Sequence, residues 1–110
     1  MREYDDPTRP VVTIVVDLAG TASEADGVTR WAAFLVAETL QRGSSVRLRS
    51  WVRDPTTGEL GLADGVVSTT AEAGRQLAMA TAGQPDALWA GFGRDAAAVL
   101  VDRTGCRVWP

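Results

Sequence analysis

At 110 residues, 45% of them hydrophobic and 23% charged, the chain has the size and balance of one globular domain with one buried core. Its net charge of −3 and pI near 4.8 argue against nucleic acid as the main partner, because phosphate binding needs clustered positive charge. Histidine is absent and cysteine occurs once, at Cys106, which excludes serine–histidine and cysteine–histidine catalysis, an intrachain disulfide and a cysteine-rich zinc site.

All 11 basic residues are arginine, so no P-loop or Schiff-base lysine exists. No apolar stretch reaches the roughly 18 residues of a membrane span. The first residues, Met1 to Asp6, lack the apolar run of a signal peptide. A cytoplasmic location is the expectation if the chain is the whole gene product.

After a polar lead-in ending at Pro10, Val11 to Asp17 is a β-branched run that suits a strand buried on both faces. Thr21 and Glu24 have capping-box spacing, and Val28, Trp31, Ala32, Leu35, Val36 and Leu40 then recur as one helical stripe. Asp26 with Arg30 and Glu38 with Arg42 are acid-to-base pairs four apart, and Gly43 closes the helix. Val46 to Arg53 alternates as a strand. Val46, Leu48, Ser50 and Val52 form its core side, and Arg47, Arg49, Trp51 and Arg53 a solvated or partner-covered side.

Asp54 to Gly58 is a turn into an extended piece ending near Val67, with a hairpin through Leu60 to Leu62 left open. Thr69 and Glu72 open a second capped helix to about Ala80, with Ala73, Leu77 and Ala80 inward. Gly83 to Asp86 breaks the chain, and Ala87 to Phe92 is expected as a third core strand. Asp95 to Arg103 is expected as a last helix, although Val99–Leu100–Val101 suits a strand equally well. Cys106 to Trp109 is a final short strand, with Cys106 expected as a small buried residue. This alternation predicts a small Rossmann-like α/β domain over 11–110, with a mostly parallel sheet and helices on both faces.

Two features carry a family resemblance. Arg2-Glu3-Tyr4-Asp5-Asp6-Pro7 ahead of Val-Val-Thr-Ile-Val-Val-Asp resembles the hinge of the bacterial family called domain of unknown function fifty-eight, just before its von Willebrand factor A-like part. The Arg42, Gly43, Val46 step and the terminal Gly-Cys-Arg-Val are also similar. The resemblance implies a von Willebrand factor A-like fold and a membrane-anchored parent protein. It also implies a MoxR-type AAA+ ATPase, or another subunit of a membrane-associated complex, as partner.

Such domains open their metal-ion-dependent adhesion site with Asp-x-Ser-x-Ser, whose carboxylate and hydroxyls bind Mg²⁺. Here the residues are Asp17-Leu18-Ala19-Gly20-Thr21, and Ala19 removes one ligand. The expectation is therefore a degenerate site with only Asp17 and Thr21 left, and no cofactor, Mg²⁺ being doubtful. Asp17 reads more readily as a loop carboxylate bonded to nearby N–H groups, and Thr21 as a helix cap.

Arg47, Arg49, Trp51 and Arg53 are candidate interaction residues, since arginine and tryptophan are enriched at binding hot spots. The same arginines also suit salt bridges to the chain's own carboxylates, or an edge strand protected by charge. Together these readings favour a non-enzymatic protein-interaction module, with homodimerisation open. The alternative is a small-molecule or anion-binding domain using Asp17 and the turn Gly91-Phe92-Gly93-Arg94. A metal-dependent hydrolase pairing Asp17 with Asp86 or Asp95 comes third.

Overall fold

A computed structural model describes residues 11–84, 87–88 and 97–109. Among these residues the named elements follow in the order β1 (Val11–Val16), α1 (Ala22–Gln41), β2 (Ser45–Arg53), β3 (Leu60–Val67), α2 (Thr70–Ala78), β4 (Ala97–Asp102) and β5 (Gly105–Trp109). The strands build one sheet in the order β3-β2-β1-β4-β5. β1 lies parallel to β2 and β4 on either side, while β3 and β5 fold back antiparallel as hairpins at the two edges. The sheet is therefore mixed, and the expectation of a mostly parallel one gives way at both margins.

The chain forms α1 where the caps and the stripe coincide. Thr21 Oγ1 accepts from the Glu24 N–H, and the Glu24 carboxylate accepts from the Thr21 N–H, so both orphan donors are satisfied. The helix ends in a Schellman arrangement: the Gly43 N–H donates to the Leu40 carbonyl and the Ser44 N–H to the Thr39 carbonyl. That ending puts Gly43 at φ +87°, which favours glycine. Val28, Ala32 and Val36 are buried, with Leu35 and Leu40 half-buried beside them. Trp31 departs from the expected stripe: it stays 43% exposed on the flank of the helix and stacks on Phe34.

α2 is shorter. Thr69 caps it through the Glu72 N–H, while the Glu72 carboxylate reaches back one residue further, to the Ser68 N–H. Its Ala73 and Leu77 join Ile14, Val16, Val46, Leu48, Val67 and Val101 and the α1 stripe in one core. α1 and α2 thus cover the same face of the sheet.

The second face is closed differently. β2 outruns β1 by three residues, and the chain after α2 pairs with this overhang: the Arg53 N–H donates to the Met79 carbonyl and the Thr81 N–H to the Trp51 carbonyl. The chain thereby passes the end of β1 and reaches the far face. There Val15, Leu88 and Leu100 form a small second cluster, with Trp51 against it. Ala87 and Leu88 are helical, not the start of a third core strand, and Trp89 to Phe92 lie outside the described residues.

Ala97–Asp102 is strand β4, so the reading as a last helix gives way to its alternative. The β-branched Val99 and Val101 are held between β1 and β5, and pairing on both sides outweighs the helical preference of the alanines before them. Cys106 is exposed, contrary to expectation, because it lies on edge strand β5. No helix among the described residues is long and apolar enough to cross a membrane.

Candidate functional site

Two places gather the residues that sequence reasoning singled out. The first is the carboxyl edge of the central strands. The Asp17 N–H donates to the Val101 carbonyl, which carries the β1–β4 pairing one step past the strand and sets Asp17 beside Asp102. The chain leaves β1 toward α1 and β2 on one side, with β4 on the other, the kind of divergence where open α/β sheets place ligands.

Asp17, Thr21, Glu24 and Asp102 are each already engaged. Asp17 Oδ1 accepts from the Ala19 N–H at 3.0 Å, closing a tight turn. Thr21 is the α1 cap. A backbone hydrogen bond from Thr21 holds the Glu24 carboxyl below its ordinary range, helped by the Thr21 hydroxyl and the nearby Arg103 charge. Asp102 accepts from the Thr104 N–H at 2.9 Å and the Thr104 hydroxyl at 2.6 Å, and pairs with Arg107 at 3.2 Å.

Asp102 escaped sequence reasoning because the segment was read as helix. The signal was present in Asp102-Arg103-Thr104-Gly105, whose residue types make a hairpin turn.

This donor set does not fit a divalent cation. Ala19 offers only a methyl group where a ligand is needed, Thr21 is committed to its helix, and Asp17 to its turn. Among the described residues no three acidic, histidine or cysteine side chains converge. Asp86 and Asp95 lie outside them, as do Arg2 to Tyr4 and Gly91 to Arg94. We expect millimolar Mg²⁺ to leave the thermal midpoints of the parent and of Asp17→Ala equally unmoved. A rise in the parent alone would restore Asp17 and Thr21 as a cation site, since a ligand of the folded state raises the midpoint.

The second place is the arginine side of β2, and here the structure brings in a residue the sequence did not single out. Asp64 of β3 sits opposite Arg49 in the antiparallel register. It accepts from Arg49 Nη1 at 2.5 Å and from Arg47 through both carboxylate oxygens, at 2.6 and 3.0 Å. Arg49 is buried, at 7% exposure, and also donates to the Ala87 carbonyl at 2.9 Å. Hydrogen bonding from Arg47 does most to hold the Asp64 carboxyl below its ordinary range, against a partial desolvation that raises it. Trp51 Nε1 donates to the Gln84 carbonyl, and Arg53 donates to the Gly58 carbonyl in the Asp54–Gly58 turn. All four candidate interaction residues therefore make contacts within the chain, and Arg49 with Trp51 helps close the second face.

An exposed aromatic pair lies along α1. Trp31 and Phe34 stack with ring centroids 5.3 Å apart and planes 5° from parallel, at 43% and 51% exposure. Trp31 also borders a hollow of about 290 Å³, which Glu24, Gly27, Asp102, Arg103 and Gly105 help to line. The aromatic pair thus adjoins the carboxyl edge of the sheet. Comparison with known proteins adds nothing to this geometry: no family model, curated protein or solved structure matches the chain.

Proposed function

We propose that this chain is a non-enzymatic protein-interaction module of von Willebrand factor A-like build, with a degenerate metal-ion-dependent adhesion site. The observation that carries the reading is the exposed, stacked Trp31–Phe34 pair beside the hollow at the carboxyl edge. Two large aromatic rings left in water gain by burial against a partner, and rigid aromatics supply contact area at little entropic cost. The engaged state of Asp17, Thr21 and Asp102 favours recognition over chemistry at this edge.

The partner we propose, from the hinge and strand motifs, is a MoxR-type AAA+ ATPase or another subunit of a membrane-associated complex. Calorimetric titration of the chain against such an ATPase tests it. Trp31→Ala with Phe34→Ala weakens binding by about 2 kcal/mol, roughly thirtyfold, as for a central hot spot. The melting midpoint stays close to the parent's, because both rings lie on the surface. Unchanged binding by the double variant would remove the aromatic pair from the interface and this reading with it.

A further inference from the structure

We infer that the outer edge of β3 is a self-pairing seam, along which two copies of the chain join antiparallel into one continuous sheet. The inference uses a different surface from the aromatic pair and stands independently of the proposed function. β3 holds an unbroken antiparallel register with β2 over eight residues and, among the described residues, ends the sheet on that side. A strand in that position presents a row of backbone donors and acceptors to any further strand.

Proteins blunt such edges with lysine, proline, bulges, inward charges or brevity. β3, Leu-Gly-Leu-Ala-Asp-Gly-Val-Val, has no lysine, no proline and no break in register. The opposite edge is built otherwise: β5 has five residues and carries Arg107.

The side chains favour a second copy as the occupant. Leu60, Leu62 and Val66 project from the arginine side of the sheet at 44%, 37% and 61% exposure. Asp64, the one ionisable side chain of β3, is already neutralised by Arg47 and Arg49 of its own chain. Two seams therefore meet without like-charge contact.

A two-fold axis normal to the sheet pairs only residues that share a face. Centred on Ala63, it sets Leu60 opposite Val66 of the second copy and Leu62 opposite Asp64. Centred one residue later, it would crowd the two Asp64–arginine clusters together and set Leu60 opposite Ser68, beyond the end of the strand. The favoured register therefore matches apolar to apolar at both ends.

Sedimentation equilibrium of the purified chain from low micromolar to high concentration tests this. The parent is expected to shift from monomer to dimer. Leu60→Lys with Val66→Lys places lysine opposite lysine at both ends of the seam and weakens dimerisation by about tenfold or more. Leu60→Lys with Val66→Glu places opposite charges there and restores it. Circular dichroism of each variant confirms that the monomer still folds. A parent that stays monomeric throughout overturns the inference and leaves β3 to a strand from another protein. A dimer that ignores the lysine pair, or that the lysine–glutamate pair fails to rescue, overturns the seam or its register.

Discussion

Asp64→Ala lowers the unfolding free energy by about 3 kcal/mol, read as a fall in the urea midpoint. The reason lies in Arg49, whose side chain is only 9% exposed and keeps its charge once the carboxylate is gone. Removing a carboxylate bonded to a buried charge costs more than a surface ion pair gains. Arg47→Ala is the control. Its guanidinium is half exposed, and Arg49 still neutralises Asp64, so the loss stays under ~1 kcal/mol. A double-mutant cycle on the two positions then isolates the coupling.

The same network sets a pH dependence. The carboxyl of Asp64 is held low in the folded chain, so its contribution is present above the ordinary aspartate value of 3.8. That contribution is lost as pH falls through the lower folded value. The parent's stability therefore declines on acidification below about pH 4 more steeply than that of Asp64→Asn, which lacks the titrating group. Parallel declines would show that Asp64 is not the titrating group that matters.

Gly83→Ala is expected to destabilise by about 2 kcal/mol, in the range of overpacked cores. A methyl group there would lie 2.3 Å from the Trp51 ring, nearer than any real contact. The ring cannot swing aside freely, because its Nε1 donates to the Gln84 carbonyl and its face closes on Val15, Leu88 and Leu100. Near-ultraviolet circular dichroism and tryptophan fluorescence should change along with the thermal midpoint. A variant with parent-like stability and spectra would mean that the passage beneath Trp51 yields without cost.

The parts of the fold legible in the sequence are those set by local chemistry. Thr21 with Glu24, the stripe from Val28 to Leu40 and Gly43 specify α1 from within, and the alternation from Val46 to Arg53 specifies β2. What escaped depends on partners distant in the chain. Ala97–Asp102 has mixed local preference and becomes a strand because β1 and β5 bracket it. Trp31 fits the helical stripe by spacing, yet it sits at the margin of the stripe, where the sheet no longer covers it.

The candidate site divides the same way. Asp17 and Thr21 were visible, since a carboxylate after a hydrophobic strand and a hydroxyl before a helix are local signals. The burial of Arg49 was not, because it depends on a hairpin register that brings Asp64 opposite it. Asp102 was hidden by the helical reading of its own segment. The arginine side of β2 could be read either as a partner surface or as internal salt bridges. The geometry realises the second arrangement for Arg47 and Arg49.

The central place of β1 also governs how the molecule comes together. Both edge hairpins close between segments adjacent in the chain, β2 with β3 and β4 with β5, and such hairpins form in about 1–10 μs. β1 alone must pair with a neighbour across α1 on one side and with β4, near the far end of the chain, on the other. Most of the loop-closure entropy therefore falls on the arrival of this single strand, which slows its docking relative to the hairpins. Until it docks, the apolar rows of β2 and β4 face a gap, and the gap has the shape of a strand.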